Sequence, residues 1–428
     1  MIKNFELVDV WRKLHPESRH FTYRNTFHKM ASRIDFWLVA DCLCNYVRQA
    51  CIKPVALCPD HCAVTFTLIC ENINRGRGYW KLNNSLIVNE EYKSVIKNMV
   101  NEMKDELKFE KDISYVWDMC KIKIKEYSIR FAKRLKTKEN ANIKILERKY
   151  EKLINSTDKG NNEKDIVELR RKIEQFYSKQ CTGAQIRSRV QYYEEGETNM
   201  KYFKEIEKQN AVKKTITSLK IGRNSEHNMS KILQHVYKFY SKLYSSLNTN
   251  KCEVREYVQN IDGPKLKREE ADACEGKISA LEITQALKNM KRNKTPGGDG
   301  LTVEFYMEFW EDIQDLVLGS LNAGFEKGRL SYTQRHGIIT LLYKKGDKED
   351  IRNWRPITLL NVDYKLAAMV LANRLQKVLT SLINEDQVGY IKGRIGYCNA
   401  KIIQDIIDYT QLEEIDGRLL FCRFLQSI

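Results

Sequence analysis

The sequence predicts a mixed α/β protein with three regions that differ in composition and spacing. Residues 1–72 contain short runs of β-branched and aromatic residues between polar or proline-containing breaks, a pattern typical of strands. Residues 73–270 are rich in charge and place their apolar side chains at helical spacing. Residues 271–428 alternate between the two patterns, which indicates a third region of α+β or α/β type.

The strands of the first region are predicted from two runs, RIDFWLV at 33–39 and AVTFTL at 63–68. Both runs are short and rich in the residue types that fit a pleated, half-buried surface. They predict part of a sheet in residues 1–72.

The second region contains two successive stripes of apolar residues at intervals of three and four. The stripes consist of Ile143, Leu146, Tyr150 and Leu153, and of Ile166, Leu169, Ile173 and Phe176. The polar segment 158–162 (DKGNN) separates them. Two amphipathic helices joined by a short turn predict an antiparallel helical hairpin. Its charged outer faces suit either solvent or nucleic acid.

The third region begins with Ser279 and Glu282, whose spacing predicts a capping box at the start of a helix. Residues 295–300 (TPGGDG) must form a loop, because no helix tolerates a proline and three glycines so closely spaced. Residues 337–343 (GIITLLY) predict a buried strand, and the apolar residues of 364–382 keep helical spacing.

The charge of the chain indicates a polyanionic partner. Lysine and arginine total 73, aspartate and glutamate total 56, and the formal net charge is +17. An excess this large attracts nucleic acid, although a basic protein without such a partner remains an alternative on charge alone.

The cysteines and the apolar runs indicate an intracellular protein. Of the twelve cysteines, only Cys42 with Cys44 and Cys58 with Cys62 have a spacing close to that of a zinc site. Their apolar neighbours favour reduced thiols in a cytoplasmic or nuclear protein. No run of about 18 apolar residues predicts a membrane span. The first residues lack the charged-then-apolar order of a secretory signal.

Three cations lie close to the end of the predicted strand of the third region. Lys344 and Lys345 follow the strand, and Arg355 comes ten residues after Lys345. Cations in such positions can converge on a polyphosphate, where arginine grips two oxygens and lysine acts as a point charge. The alternative is a pair of solvated lysines with the arginine packed on Trp354.

The order of motifs around these cations resembles the fingers and early palm of reverse transcriptases from LINE-type, non-LTR retrotransposons. The matching blocks are 294–300 (KTPGGDG), 338–347 (IITLLYKKGD), 353–361 (NWRPITLLN), Lys365 with 372–375 (ANRL), and 386–394 (DQVGYIKGR). The resemblance implies a right-hand polymerase fold. It also implies that Lys344, Lys345 and Arg355 lie toward a nucleoside triphosphate, and that Gln387, Gly389 and Arg394 face the template.

The same resemblance implies that this chain lacks the polymerase chemistry. The reaction needs two divalent cations, Mg²⁺ in the family, held by aspartates. Where the family places the first aspartate, after a run like 419–422 (LLFC), this chain has Arg423, and it stops at Ile428 before the later aspartate pair. An arginine repels a cation, so we expect no productively bound Mg²⁺ and no polymerase activity from this chain.

The first region resembles the C-terminal end of an endonuclease related to the apurinic/apyrimidinic repair nucleases. The matching residues are 33–37 (RIDFW) and 59–64 (PDHCAV). The resemblance implies that Asp35 pairs with His61 and that Asp60 positions water or a metal. An aspartate–histidine pair without a catalytic role is the alternative. The region would be an incomplete part of a two-sheet sandwich.

The connecting region resembles the family through weaker motifs. They are 75–83 (RGRGYWKLN), 185–189 (QIRSR), 193–197 (YEEGE) and 201–203 (KYF). Arg75 with Arg77 and Arg187 with Arg189, all close to aromatic residues, could bind a nucleic-acid strand, and helix packing is an equal alternative.

Taken together, the motifs predict a fragment of a retrotransposon polyprotein. Its parent would nick DNA and reverse-transcribe RNA at the nick, whereas this chain would only bind RNA or DNA. The alternative is a non-enzymatic protein retained by the host as an RNA-binding or interaction module.

Overall fold

The computed structural model shows a mixed α/β protein and describes residues 6–25, 30–55, 58–69, 78–155, 163–188, 215–246, 250–261, 263–389 and 391–418, with Ile206 and Gln209. The chain forms two compact units. The first unit comprises Met1–Gly78 and Lys133–Thr215, and the second comprises Tyr79–Ala132 and Ile216–Ile428. The connecting region, predicted as one region at residues 73–270, therefore contributes to both units.

The first unit contains two small antiparallel sheets and two short helices. Its strands are β1 (Leu7–Asp9), β2 (Tyr23–Asn25), β3 (Met30–Ser32), β4 (Leu38–Ala40), β5 (Val47–Val55) and β6 (Cys58–Leu68), with α1 (Val10–Leu14) and α2 (Asp41–Cys44). One sheet has the order β3-β2-β6-β5, and β1 pairs with β4. Trp11, Val10, Val39 and Ala50 form a small buried core.

The predicted strand at 33–39 is shorter in the structure, where only Leu38–Ala40 is a strand. The backbone N–H groups of Ile34 and Asp35 donate to the buried Thr22 hydroxyl, both at 3.0 Å, rather than to a neighbouring strand. A side-chain acceptor thus replaces a strand partner. The run at 63–68 lies within β6, as predicted.

The predicted helical hairpin is confirmed within the first unit. It consists of α5 (Glu163–Ser188) and residues 133–155 of α4 (Ile113–Asn155). Ile143, Tyr150 and Ile173 form its buried core, with Leu146, Ile166, Leu169 and Phe176 packed against them. Apolar contact between the two stripes stabilises the pair, because neither helix buries its apolar face alone.

The second unit consists mainly of helices and two hairpins. Besides residues 113–132 of α4, its helices are α3 (Glu90–Glu106), α6 (Met229–Leu243), α7 (Lys251–Gln259), α8 (Arg268–Cys274), α9 (Ala280–Asn289), α10 (Val303–Glu308), α11 (Trp310–Glu326), α12 (Val362–Leu382) and α13 (Gly396–Leu412). Strands β7 (Leu219–Ile221) and β8 (Asn224–Glu226) form one hairpin, and β9 (Ile338–Tyr343) and β10 (Trp354–Leu359) form the other.

Local sequence signals set several helix starts in this unit. At α9, Ser279 Oγ accepts from the Glu282 N–H at 3.3 Å, and Glu282 Oε2 accepts from the Ser279 N–H at 2.9 Å. The predicted capping box is thus confirmed.

Residues 295–300 form a loop, as predicted. The core of the unit includes the fully buried side chains of Trp117, Tyr306 and Phe305.

The prediction of a buried strand at 337–343 is wrong in one respect. Strand β9 forms, but Ile339 and Leu342 remain 46% and 47% exposed. Among the residues that the structure describes, this sheet consists of β9 and β10. Ile339 and Leu342 point to opposite faces, so the face with Leu342 is exposed and the other face is exposed at its Ile339 end.

Candidate nucleic-acid interface

The outward face of the β9–β10 hairpin carries one of the predicted nucleotide-binding cations. Arg355 pairs in register with Leu342, and Ile357 pairs with Thr340. Residues directly opposite each other lie on the same face of an antiparallel pair, and all four of these side chains are exposed. We call these four residues the hairpin face.

The ladder extends one residue beyond β9, because the Lys344 N–H donates to the Asn353 carbonyl at 3.0 Å. Strand alternation therefore continues from Leu342 to Lys344 and places Lys344 on the side of Arg355. Lys345 follows in the exposed turn. The structure thus brings Lys344 and Arg355 to one side, with Lys345 adjacent.

Toward Trp354, the opposite face of the hairpin is packed against the unit. Trp354 is 4% exposed, and its ring lies 5.6 Å from that of Tyr343. Tyr240 of α6 donates its hydroxyl proton to the Trp354 carbonyl at 3.0 Å. Because neighbouring residues of a strand point to opposite sides, Arg355 does not pack on Trp354. The alternative considered for this arginine is therefore wrong.

The β7–β8 hairpin fixes the turn that carries the lysines. The Lys220 N–H donates to the Glu349 carbonyl at 2.8 Å, and Lys220 Nζ lies 2.6 Å from Asp347 Oδ2. The Ser218 and Ser225 hydroxyls donate to Glu349 Oε1 at 2.7 and 3.1 Å. The hydrogen bond from Lys220 lowers the pKa of Asp347. We call these contacts the turn clamp.

A buried group of charges lies beneath the 295–300 loop. Lys121 is 1% exposed, and its Nζ lies 2.8 Å from Oδ2 of the fully buried Asp363 and 3.2 Å from Asp118 Oδ1. Trp117 Nε1 donates to Asp363 Oδ2 at 2.9 Å. We call Trp117, Asp118, Lys121, Asp299 and Asp363 the buried cluster. Attraction to Lys121 outweighs burial and keeps the pKa of Asp363 below its usual value.

Hydrogen bonds join this cluster to its surroundings. Asp118 Oδ1 accepts from the Ser331 hydroxyl at 2.9 Å and from the Thr333 hydroxyl at 2.5 Å. Asn361 donates to the Thr333 carbonyl at 2.8 Å and accepts from the Asp299 N–H at 3.2 Å. These bonds link α4, the 295–300 loop and the start of α12.

Asp299 is the least satisfied member of the cluster. Its Oδ1 accepts from the Leu301 N–H at 3.0 Å, whereas no hydrogen-bond partner among the described residues reaches its buried Oδ2. Burial, reinforced by the charge of Asp363 and opposed by Lys121, raises the pKa of Asp299 to about 7. Its carboxyl therefore titrates near neutral pH.

Residues 79–84 lie across the 295–300 loop. The Leu82 N–H donates to the Gly300 carbonyl at 2.9 Å, and the Tyr79 hydroxyl donates to the Pro296 carbonyl at 2.9 Å. The Trp80 ring lies against Gly300, and Lys125 Nζ is 5.5 Å from the centre of that ring. The part of the 75–83 motif from Tyr79 onward thus covers the 295–300 loop.

Gly300→Ala is expected to lower the free energy of unfolding by about 3 kcal/mol. Its φ of +76° costs an L-residue about 1–2 kcal/mol, and overpacking adds about 1–3 kcal/mol. The added Cβ would lie 2.6 Å from the Trp80 carbonyl oxygen. Gly328→Ala is the matched control, with φ +63° and open space around the Cβ. Equal losses in urea titrations would contradict the contact with Trp80.

Two arginines of the resemblance motifs bind the protein itself. Arg374 donates to both carboxylate oxygens of Glu282, at 2.7 and 2.9 Å, and lowers the pKa of Glu282 to about 2. Arg394 donates to the carbonyls of Gln387 and Ile383, both at 2.9 Å, and to that of Asn384. Arg394 therefore has a structural role at the end of α12, and it is not a free cation that could contact a template.

Gln387 and Gly389 lie exposed in the loop that Arg394 holds. The Gln387 carbonyl accepts from Arg394, and a Cβ added at Gly389 would lie 3.4 Å from Gln387 Nε2. Their predicted role along a template stays a prediction.

In the first unit the structure brings Asp35 and His61 together. His61 Nδ1 lies 2.8 Å from Asp35 Oδ2, and both side chains are partly exposed. The ring of Tyr23 lies 5.0 Å from that of His61, on the paired position of β2. Asp60 is exposed on β6, on the residue before His61. Asp60 lies where the pairing of β5 with β6 shifts register, between Cys58 and Cys62.

Several predicted residues lie outside the described part of the chain. They are Arg75, Arg77, Arg189 and Arg423. Arg187 is in α5, but its side chain is also outside the described residues.

Sequence reasoning missed the buried cluster. One signal was present in α4, where Lys121 falls at helical spacing between Trp117 and Ile124 on the face that becomes buried. A lysine on an apolar stripe indicates a buried partner. The partner Asp363 lies 242 positions away, which no local pattern reveals.

Among the described residues, no group of three or more His, Cys, Asp or Glu side chains is arranged to hold a metal. Asp299 and Asp363 do not fit such a site, because the Lys121 ammonium is paired with Asp363. Within the described residues, no helix is both long enough and apolar enough to cross a membrane.

No protein-family model matches this chain. The chain is 28% identical over 423 residues to the "Transposon TX1 uncharacterized 149 kDa protein" of Xenopus laevis, covering 96% of this chain and 32% of that protein. It thus spans about a third of the length of the curated relative it matches. This similarity, which extends over nearly the whole chain, supports a transposon-derived protein.

Proposed function

We propose that the chain is part of a retrotransposon polyprotein and that its second unit contains the fingers of a reverse transcriptase. The observation that carries the proposal is the hairpin face, where Arg355 lies among exposed apolar side chains next to Lys344 and Lys345. The similarity to a transposon protein supports the same origin.

The hairpin face has the chemistry of a nucleic-acid contact. Cations neutralise phosphates and release their counterions, while exposed apolar side chains can pack on a base. The guanidinium of Arg355 can grip two phosphate oxygens of a nucleotide or strand, whereas Lys345 supplies a point charge. The turn clamp keeps the lysine-bearing turn against β7–β8. Preorganised cations lose less entropy on binding than mobile ones.

The first unit supports a nuclease origin through the contact between Asp35 and His61. A carboxylate bonded to one ring nitrogen fixes the orientation of the imidazole and leaves the other nitrogen for proton transfer. In this arrangement His61 would transfer the proton, Asp35 would orient the ring of His61, and Asp60 would position water or a metal. In the parent, DNA nicking and RNA copying would use Mg²⁺, with RNA, DNA and deoxynucleoside triphosphates as partners.

Binding to a single-stranded RNA tests the proposal. Arg355→Ala and Lys345→Ala are each expected to reduce the slope of log affinity against log salt concentration by about 0.7, the value for one phosphate contact on a single strand. Fluorescence anisotropy of a labelled RNA at several salt concentrations measures the slope.

Arg352→Ala is the matched control for this measurement. Arg352→Ala also removes one positive charge, from the segment that joins β9 to β10. Arg352 is held by Asp350 through two hydrogen bonds to Oδ2 and one from Nε to Oδ1. The slope should stay close to that of the unchanged chain. If the control and the Arg355 variant lose the same slope, the hairpin face does not bind the strand.

A further inference from the structure

The hairpin of α4 and α5 has two chemically different sides. Leu146 and Tyr150 of α4 pack toward α5. A helix turns by about 100° per residue, so a position two residues away lies on roughly the opposite side. Arg148, between Leu146 and Tyr150, therefore points away from α5, and it is exposed.

Further cations of α4 align with Arg148. Lys144 and Lys152 are four residues away on either side, and Lys133 lies three helical turns before Lys144. All are exposed, and Lys138 lies at the edge of the same arc. We call Lys133, Lys138, Lys144, Arg148 and Lys152 the cationic stripe. From Lys133 to Lys152 it runs about 28 Å along the helix, at about 1.5 Å per residue.

The cations of the stripe are not neutralised by neighbouring carboxylates. Within the described residues, none of them lies within ion-pair distance of an acidic side chain, although the exposed Glu151 shares the edge of the arc. Lys152 also borders a cleft with Asp165 and Glu168 at the end of the hairpin.

The cations of α5 differ in this respect. Arg170 pairs with Glu174 at 2.8 Å, and Lys172 pairs with Glu168 at 2.7 Å. Lys179 pairs with Glu139 of α4 at 3.5 Å. Three cations of α5 are thus paired within the hairpin, whereas the described cations of the stripe on α4 are not.

We propose that the cationic stripe of α4 is a second nucleic-acid-binding surface, which contacts the phosphodiester backbone without reading sequence. A row of exposed cations along one helix suits a chain of phosphates, because each neutralised phosphate releases counterions. A protein partner would require an apolar, aromatic-rich centre. The arc offers Ile145, half exposed, as its large apolar side chain. The surface is separate from the hairpin face.

The test removes three stripe charges from the full chain. Lys133→Gln, Lys144→Gln and Arg148→Gln are combined, and affinity for a single-stranded RNA and for a DNA duplex is measured by anisotropy across salt concentrations. Three lost phosphate contacts are expected to reduce the salt slope by about 2 for RNA and about 3 for duplex DNA. A probe whose slope falls by the amount expected for its form contacts the stripe, and a probe whose slope is unchanged does not.

The matched control combines Arg170→Gln, Lys172→Gln and Lys179→Gln. Like the test variant, it removes two lysines and one arginine, here from α5. The salt slope of this control variant should change by less than half as much as that of the stripe variant. Equal losses in both triple variants would overturn the proposal, because net charge alone would then explain binding. Far-ultraviolet circular dichroism confirms that α4 is retained, and the Arg355 variant reports separately on the hairpin face.

Discussion

Lys121→Met is expected to lower the free energy of unfolding by about 3–5 kcal/mol, because it leaves a buried carboxylate without its counter-charge. Lys121 is 1% exposed and Asp363 is fully buried, at 2.8 Å from each other. Chemical denaturation monitored by circular dichroism measures the loss. Adding Asp363→Asn should restore part of it, since the double variant no longer buries an unpaired charge at this position.

The matched control is Lys123→Met, two residues farther along α4. Lys123 pairs with Glu106 at 2.8 Å, but both side chains are 40% or more exposed. Exposed pairs contribute at most about 1 kcal/mol. Losses of similar size in the two single variants would contradict the role assigned to the buried cluster.

Asp299→Asn is expected to change the free energy of unfolding more favourably at pH 8 than at pH 4. The pKa of Asp299 in the folded chain is raised to about 7 from an ordinary value of 3.8. The stabilisation from its protonated form is therefore complete below about pH 4 and is lost as the pH rises through about 7. Each pKa unit corresponds to about 1.4 kcal/mol, so the relative gain of the variant between these pH values is at most about 4 kcal/mol.

Urea titrations from pH 4 to pH 8 measure this difference. Asp112→Asn gives the contrast, because hydrogen bonding to Lys327 lowers the pKa of Asp112. The stabilising effect of that charge is present above about pH 4 and is lost as the pH falls, so the trend has the opposite sign. A difference between Asp299→Asn and the unchanged chain that does not vary with pH would contradict the burial of an unpaired oxygen.

Features with local causes could be predicted from the sequence. The apolar stripes of α4 and α5 specify the helical hairpin, since contacts at intervals of three and four follow from helical geometry. The capping box at Ser279 and the loop at 295–300 depend on neighbouring residues in the same way.

Contacts between distant segments could not be predicted in this way. The docking of residues 79–84 on Gly300 joins positions more than two hundred residues apart, and the same holds for Lys121 and Asp363. The sequence also does not distinguish an exposed cation, which can contact phosphate, from a cation that is bound to carbonyl oxygens of the protein. Arg355 and Arg394 belong to equally specific motifs, yet Arg355 is on an open strand face and Arg394 is bound by three main-chain oxygens.

The turn clamp restricts how this chain and its relatives can change. Lys220 and Asp347 are 127 positions apart, and each is the other's counter-charge. A substitution that removes one leaves the other without its counter-charge, but both side chains are about half exposed and the pair contributes at most about 1 kcal/mol, so we expect a weak correlation between the two positions. Ser218 and Ser225 are tied to Glu349 in the same way. Substitutions in these segments should therefore be correlated, even though neither segment alone shows a recognisable motif.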